Sequence, residues 1–374
     1  EIVPLKDVIW DETTISSRGI ITDAQFFAFT NLSGNLVHSS LRKSEEFRKF
    51  INRYLPQIAK CNIFTFENLK SCVKENQAMH NWLHMPACNG AFLDFLMSVN
   101  GEILKEFSKL PIYLDNTDKL CTSSDIYYCG DNIKQALVYL KAFVKYFPYL
   151  SFKTLEYFKT SNNTNWTKSW GTVGFKQLSA GEFVSKVLFS TANKSEVLLL
   201  LHNIDISANF IKYLAYNAQD NYGDFKFSAI PFVNTDDVVI DSFTGKLVFY
   251  EDSNTSNKAI LKEKWFKESW AYFINEAYFA NDNDESVRKF LTNEGLIKIF
   301  NSGTIINEVL SPLTNQAYIA EKTTNDLSSS VSFVKYIFNN KHLLKDDINF
   351  KSIPLCVANL NGLVSYETCS DINA

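Results

Sequence analysis

The chain has 374 residues, 46% of them hydrophobic, and a formal net charge of −4 at pH 7. This length and composition support a substantial core and favour more than one domain. The basic residues are scattered, and no apolar run reaches the roughly 18 residues of a membrane span, so we expect neither a nucleic-acid partner nor a transmembrane helix. The opening EIVPLKDV has no initiator Met and no signal-like character, which indicates a piece of a longer polypeptide.

The cysteines indicate the redox environment. Seven are present, an odd number, and none form a Cys-x-x-Cys pair. A disulfide framework is therefore not expected, and a reducing, cytoplasmic location is predicted. Asn-x-Ser/Thr sequons arise by chance in an Asn- and Ser-rich sequence, but they leave a secreted glycoprotein open as an alternative; they begin at Asn31, Asn162, Asn165, Asn193 and Asn254.

The first predicted element is a helix over residues 45–58, EEFRKFINRYLPQI, where apolar side chains recur at helical spacing. The same spacing predicts helices over residues 124–147 and 263–279. The run EVLLLLHNI, residues 196–204, is too short to cross a membrane, and we interpret it as a core segment.

The segment HNWLHMPAC contains the one candidate metal site. His80 and His84 are four residues apart, as in helices whose histidines share a metal, and Cys88 follows four residues later. The segment has no His-Glu-x-x-His pattern, and Pro86 would break the helix before Cys88. We therefore interpret it as a helix end anchored by Trp82 and keep His80, His84 and Cys88 only as weak zinc-ligand candidates.

The motif Phe-x-x-[Ile/Leu]-Pro occurs three times, at residues 107–111, 227–231 and 350–354. Proline lacks an N–H and fixes φ, and the residue before it is driven to an extended conformation. After each motif come an apolar run, a turn cluster of Asp, Asn or Gly, and a second apolar run, which is the signature of a β-hairpin. We therefore predict that a helix ends and a hairpin begins at each of the three prolines.

Other landmarks recur at the same period. Three segments place apolar residues on one helical face, and each begins 18 or 20 residues before the Leu or Ile of a motif. They are FLDFL at residues 92–96, FIKYL at residues 210–214 and FVKYI at residues 333–337. Residues 170–188 also parallel residues 291–310, with Gly174 aligned to Gly295. Several landmarks in one order at one period indicate an internal repeat.

The repeat predicts the fold class and the domain organisation. We expect an α+β fold, a predominantly helical and elongated repeat array, in which each unit holds several helices and a β-hairpin that begins at [Ile/Leu]-Pro. The expected units are a partial one at residues 1–40, followed by residues 41–130, 131–255 and 256–374.

Other constellations carry weak signals for chemistry. Carboxylate pairs lie in segments that read as turns or helix starts, where acidic side chains stabilise helix N-termini; they are Asp236 with Asp237, Asp282 with Asp284 and Glu285, and Asp346 with Asp347. WGTVG, residues 170–174, lacks the lysine and third glycine of a phosphate-binding loop. LKEKWFKESW, residues 261–270, could stack single-stranded nucleic acid, but a helix with one aromatic and one lysine face explains it as well. We predict no catalytic residue and no cofactor.

The proline-hairpin segments resemble those of a known family. KLPIYLDNTDKLCTSSDIYY and SIPLCVANLNGLVSYE look like recurrent segments of sacsin-like proteins, large polypeptides with an Hsp90-like ATP-binding module and long repeated regions. NWTKSWGTVGFKQLSAGEFVSKVL resembles the tryptophan-then-glycine segment between such hairpins in bacterial relatives, and Leu291 lies near the place of that tryptophan in the last copy. We find none of the family's ATP-site motifs in this sequence, so no functional residue carries over.

The resemblance implies the non-catalytic repeat region of a larger chaperone-like or defence-related ATPase. Such a region would act as a scaffold or bind a client or partner protein, or other domains of the parent chain. One alternative is a stand-alone secreted or surface interaction protein. A second is an enzyme with unrecognised motifs, which would have one deep pocket of converging polar groups, whereas repeat units would have shallow grooves.

Overall fold

The structure is a computed structural model that describes most of the chain after residue 65 and short stretches before it. The described residues are 8–10, 35–36, 46, 49–50, 53–54, 62–63, 66–97, 101–127, 131–154, 156, 173–176, 179–240, 247–251, 257–280, 285–345, 350, 353–358 and 364–368. They fall into two compact units, Glu1–Ser179 and Ala180–Ala374. The expected unit at residues 1–40 lies almost wholly outside the described residues, and the expected boundaries after residues 40, 130 and 255 stay predictions.

The first unit combines five described helices with short strands. The helices are α1 (Phe66–Glu75), α2 (Gln77–Leu83), α3 (Pro86–Met97), α4 (Gly101–Ser108) and α5 (Asp131–Tyr139). A parallel sheet has the strand order β2-β1-β3, from β1 (Val8–Trp10), β2 (Asn35–Leu36) and β3 (Asn62–Ile63), and an antiparallel hairpin joins β4 (Tyr113–Leu114) to β5 (Leu120–Cys121).

The core of the first unit forms around aromatic rings that α2, α3 and α4 contribute. Trp82 and Phe92 meet edge to face with ring centroids 6.1 Å apart, and Phe92 meets Phe107 at 6.2 Å. The buried Asn89 of α3 donates from Nδ2 to the carbonyl oxygen of Ile112 at 2.7 Å. This bond satisfies a buried polar group and fixes the start of the hairpin against α3.

The second unit contains α-helices, two π-helices and short strands. The helical elements are α6 (Ala180–Glu182), π1 (Phe183–Leu188), α7 (Lys194–Leu200), α8 (Ile204–Tyr216), α9 (Ser286–Asn293), α10 (Ser302–Thr304), π2 (Ile305–Leu310), α11 (Leu313–Asn325) and α12 (Leu327–Asn339). The strands are β6 (Phe232–Val233), β7 (Val239–Ile240), β8 (Val248–Tyr250), β9 (Tyr272–Phe273), β10 (Lys298–Ile299), β11 (Pro354–Ala358) and β12 (Val364–Thr368).

Strand pairing in the second unit gives one parallel sheet and two hairpins. The parallel sheet has the order β10-β8-β9, and β6 pairs with β7 and β11 with β12 in antiparallel register. The architecture of the described residues is therefore mixed, with predominant helix and small sheets.

Two stretches of the second unit, residues 180–216 and 302–339, contain the same series of elements. Each begins with a three-residue α-helical turn that continues as a six-residue π-helix, and each goes on to two α-helices, the second of 13 residues. π-Helices are rare, so the occurrence of two six-residue π-helices at the same place in the two series is evidence that the stretches are structurally similar. Their buried apolar side chains coincide as well, since Val187 and Leu188 match Val309 and Leu310.

The hairpins β4–β5 and β6–β7 share their turn chemistry. Asp115 Oδ1 accepts from the N–H groups of Thr117 and Lys119 at 2.8 and 2.9 Å. Asn234 Oδ1 accepts from residues 236 and 238 in the same pattern, both at 2.8 Å. Asp118 lies three residues after Asp115, and Asp237 lies three residues after Asn234. Both have a positive φ, of 62° and 58° respectively. Asx side chains stabilise tight turns in this way because their oxygen replaces a backbone acceptor.

The three Phe-x-x-[Ile/Leu]-Pro motifs share one backbone hydrogen bond. The N–H of the residue before proline donates to the phenylalanine carbonyl, from Leu110 at 2.9 Å, from Ile230 at 3.0 Å and from Ile353 at 3.1 Å. All three donors belong to buried residues. A hairpin strand begins within two residues of each proline, at β4, β6 and β11.

The predicted helix over residues 263–279 is wrong. The segment forms 3₁₀ turns at Glu268–Trp270 and Glu276–Phe279, with strand β9 between them. The Ile274 N–H donates to the Phe249 carbonyl of β8 at 2.9 Å. Pairing with a neighbouring strand outweighs the weak local preference for helix. Among the described residues of 124–147, α-helix covers α5, and a 3₁₀ helix follows at Lys141–Tyr146.

The close packing of α6 against the backbone of Asn221 can be tested at Gly181, with Gly303 in α10 as the matched control. A Cβ at residue 181 would lie 2.2 Å from the carbonyl oxygen of Asn221, whereas one at residue 303 would meet only Asn301 Oδ1, at 3.4 Å. We predict that Gly181→Ala lowers the free energy of unfolding by about 1–3 kcal/mol through overpacking. Gly303→Ala should change it by about 1 kcal/mol or less, because alanine favours helix. Urea unfolding measures both, and equal effects would contradict the packing described.

Candidate functional site

The histidines that the sequence singled out bond to the backbone. His80 Nε2–H donates to the carbonyl oxygen of Val73, and His84 Nδ1–H donates to the carbonyl oxygen of His80 at 2.7 Å. His84 caps the end of α2, Pro86 begins α3, and Cys88 lies half-buried in that next helix. Among the described residues, no three His, Cys, Asp or Glu side chains are placed to hold a metal ion together.

The described free cysteines have the character of core side chains. Burial raises the pKa of Cys72 to about 11, with a smaller contribution from Glu75. Burial also raises the pKa of Cys121 to about 11, and the Asp115 carboxylate acts in the same direction. The Cys88 pKa is raised by burial as well. A raised pKa leaves the thiol protonated and poorly nucleophilic near neutral pH.

The carboxylate pairs form no paired acid–base site in the described part of the chain. Asp236 and Asp237 lie in the β6–β7 turn, where Asp237 Oδ1 accepts from Asn275 Nδ2 at 3.2 Å. Glu285 precedes α9 in a left-handed conformation. The remaining acids, Asp282, Asp284, Asp346 and Asp347, lie outside the described residues, as do residues 170–172 of WGTVG.

Two of the three rings in the aromatic–lysine segment, residues 261–270, are withdrawn from solvent, and the third, Trp270, is half-buried. Trp265 is fully buried and Phe266 is nearly so. The Trp265 ring packs on Phe333 and Tyr336 of α12, with centroids 5.2 and 5.6 Å apart. Rings that form part of the core are not available to stack on nucleotide bases.

A groove of about 880 Å³ in the second unit lies between residues 257–265 and helix α12. Three of its lining side chains form a chain of hydrogen bonds. Trp265 Nε1–H donates to Ser332 Oγ at 3.1 Å, and the Ser332 hydroxyl donates to Glu263 Oε2. Buried tryptophan N–H groups need such a partner, so this chain of bonds holds residues 263–265 against α12.

The end of the groove is formed by the N-terminus of α12. Asp326 is the N-cap, since Oδ1 accepts from the N–H of Ser328 at 3.1 Å and Oδ2 from the hydroxyl of Ser329 at 2.9 Å. Lys264 Nζ lies 3.0 Å from the same carboxylate. The hydrogen bond from Lys264, followed by that from Ser329, lowers the pKa of Asp326 below its ordinary value.

One face of α12 is apolar and exposed, and it borders the groove. Leu327, Val331, Val334 and Phe338 recur at spacings of four, three and four residues, which aligns them on one helical face. Their exposed fractions are 50%, 43%, 42% and 64%. We call these four side chains the α12 stripe. Leu327 and Val331 also line the groove, so the stripe and the groove form one continuous surface.

The opposite face of α12 is part of the core. Phe333 is buried, and its ring also meets Phe350 at 5.9 Å. Burial raises the pKa of Tyr336 to about 12. A tyrosine with this pKa is no acid or base at neutral pH, which suits a structural role for the phenol.

The surface beside α12 combines exposed apolar side chains with polar ones. The side chains of Trp265, Ser332 and Glu263 bond to one another, and the α12 stripe supplies exposed apolar surface. Sequence analysis grouped FVKYI, residues 333–337, as one apolar helix face, but it did not identify the stripe, because residues 327, 331, 334 and 338 match the same helical spacing that predicts a buried face.

Comparisons with known proteins give no relative: no family model, no curated protein and no solved structure matches the chain. The resemblance to sacsin-like proteins therefore stays a prediction. Within the described residues, no single helix is both long and apolar enough to span a membrane. The neighbouring helices α7 and α8 are together long and apolar enough, but their axes are bent by 113° relative to each other.

Asp326→Asn separates the charge of the N-cap from its hydrogen-bonding role, because asparagine also caps helices well. The folded-state pKa of Asp326 is lowered, so its ionic contribution is present above the unfolded pKa and is lost as pH falls through the folded value. We predict that Asp326→Asn lowers the unfolding temperature at pH 7 and that the difference disappears in acid.

Thermal unfolding of both proteins between pH 7 and pH 2.5 measures this effect. Lys264→Met is the matched control, since it removes the other half of the ion pair and should reproduce the loss at pH 7. A difference between the wild-type protein and Asp326→Asn that is the same at every pH would contradict the assigned ion pair.

Proposed function

We propose that this chain is a non-catalytic scaffold of repeated α+β units whose α12 surface binds a partner protein. The observation that carries the proposal is the α12 stripe, four large apolar side chains exposed along one face of a helix whose other face lies in the core. Contiguous exposed apolar surface rimmed by polar groups marks interaction sites. Lys264, Asp326 and Lys335 supply such a rim.

Equivalent capping of α8 and α12 supports the repeat. Asn203 caps α8 as Asp326 caps α12, each accepting from the N–H two residues later. At the other end, Asn217 and Asn340 donate from their side-chain amides to the carbonyl four residues earlier, at 2.8 and 2.9 Å. Both pairs lie 123 residues apart. Two helices of one length with the same capping chemistry at both ends support the proposed repeat.

Equivalent strand contacts support the repeat in the first unit as well. The Asn116 N–H donates to the Tyr149 carbonyl at 2.9 Å, and the Thr235 N–H donates to the Phe273 carbonyl at 3.0 Å. Each bond ties a hairpin turn to a strand further along the chain. Tyr127 forms parallel bridges to residues 149 and 176, which matches the pairing of β8 with β9 and β10.

Two alternatives receive less support. A secreted glycoprotein would carry sugar at its sequons, yet the one fully described sequon begins at Asn193, whose Nδ2 donates to the carbonyl oxygen of Val187 at 2.8 Å. An enzyme would need several unpaired polar groups that converge in one pocket, whereas Trp265, Ser332 and Glu263 of the groove bond to one another. From the hairpin resemblance alone we also propose that the scaffold belongs to a larger chaperone-like or defence-related ATPase of the cytoplasm.

Binding of an unfolded model protein tests the partner-binding role. The probe is a reduced and carboxymethylated protein, which exposes apolar segments permanently. We predict saturable binding that Val331→Ser combined with Val334→Ser weakens by about tenfold or more. Burying a valine contributes about 1.5–3 kcal/mol, and these two begin roughly half-exposed, so tenfold is the expected scale.

The matched control changes exposed valines away from the stripe. Val138 in α5 and Val238 in the β6–β7 turn have exposed fractions of 62% and 57%. Val138→Ser combined with Val238→Ser should leave the affinity unchanged, and circular dichroism should show both double variants folded. Equal loss in the two double variants, or no binding by the wild-type chain, would overturn the proposed role.

A further inference from the structure

One carboxylate of the groove beside α12 is held in place and keeps an open acceptor. Glu263 lines the groove, and its Oε2 accepts from the Ser332 hydroxyl, whose oxygen accepts from Trp265 Nε1–H. Glu263 is only half-buried, and no donor among the described residues reaches its other oxygen, Oε1, which is not buried. The carboxylate is therefore fixed through one oxygen, while the other can accept a hydrogen bond from a ligand in the groove.

The other charges of the groove leave the charge of Glu263 without a partner. Lys264 Nζ lies 3.0 Å from the Asp326 carboxylate, so these two side chains neutralise each other. Lys335 also lines the groove and is exposed, but within the part of the chain that the structure describes it forms no ion pair with Glu263. A carboxylate that is already ordered loses little conformational entropy when it binds a cation.

Apolar side chains line the groove around this carboxylate. Ile260 lines one wall, and Leu327 and Val331 of the α12 stripe line it as well. The exposed fractions of Leu327 and Val331 are 50% and 43%, so both are open to a ligand. A ligand that covers them displaces water from the groove, and a hydrogen bond to a charged group is stronger where the local dielectric is low.

We infer that the groove beside α12 receives a basic side chain, arginine or lysine, from an apolar segment of the partner protein. Its cationic group donates to Glu263 Oε1, while apolar side chains on either side of it cover Leu327 and Val331. Charge complementarity selects this occupant, because an acidic segment would place a like charge beside Glu263. The inference rests on the proposed function and adds a charge requirement that the α12 stripe alone does not specify.

Two synthetic peptides that differ in one side chain test the charge requirement. Both have the sequence Gly-Ser-Leu-Leu-X-Leu-Leu-Ser-Gly, with blocked termini and a fluorescent label. X is arginine in one peptide and citrulline, its neutral isostere, in the other. Fluorescence anisotropy measures their binding to the full chain. We expect saturable binding of the arginine peptide that is at least tenfold tighter than binding of the citrulline peptide, because hydrogen bonds between charged groups are stronger than neutral ones.

A matched pair of variants assigns this preference to one carboxylate. Glu263→Gln should remove the preference for arginine, because glutamine keeps an acceptor for Ser332 but carries no charge. Glu268→Gln should keep the preference, since Glu268 is exposed in the following 3₁₀ turn and does not line the groove. Val331→Ser combined with Val334→Ser should weaken the binding of both peptides. Circular dichroism checks that all three variants are folded.

Each contrary outcome has a defined meaning. Equal affinity of the wild-type chain for the two peptides, or a preference for arginine that survives Glu263→Gln, would overturn the inference. Equal loss of the preference in Glu268→Gln would also overturn it, because the effect would then follow net charge. Tighter binding of a peptide with glutamate at X would overturn it in favour of an acidic partner at Lys335. If the unfolded protein still binds through the stripe in any of these cases, the proposed function stands, whereas failure of both kinds of probe overturns it.

Discussion

At three places in this chain a hairpin strand begins within two residues of a proline, which cannot donate a backbone hydrogen bond. In each, the residue before proline closes a last turn onto a phenylalanine carbonyl, and its own side chain is buried. The backbone then becomes extended, because proline fixes φ and its ring disfavours the helical conformation of the preceding residue. The hairpins, and the strands that pair with their turns, all follow from that enforced change of direction.

The short hairpins are stabilised by what surrounds them. Two-residue strands contribute few hydrogen bonds, and a lone hairpin is marginal in water. Here the turn oxygen of Asp115 or Asn234 satisfies two N–H groups, and a later strand adds a further bond to each turn. Helices then cover the apolar side of the strands. The arrangement explains why a chain with so few glycines can make tight turns: Asp118 and Asp237 adopt the positive φ that glycine usually provides.

The hairpins could be predicted because their chemistry is local, whereas other elements depend on contacts between residues that are distant in the sequence. Proline and the Asx turn act within a few residues, so residues 107–121 and 227–240 could be interpreted from sequence. Residues 263–279 could not, because their aromatic spacing resembles a helix and their pairing partner, β8, lies in another part of the chain. The π-helices have no sequence signature that we recognised. The stripe was missed because its residues have the helical spacing of a buried face: Val334 is 42% exposed, whereas Ile211, an apolar residue 123 positions earlier, is fully buried.

The central claim is that residues 180–216 and 302–339 are two copies of one structural unit. A crystal structure of the chain tests it most directly, through superposition of the two backbones. We predict a common path through both π-helices and both helix pairs, with Asn203 and Asp326 at the same N-cap. A regular α-helix in place of either π-helix, or two paths that do not superpose, would contradict the repeat.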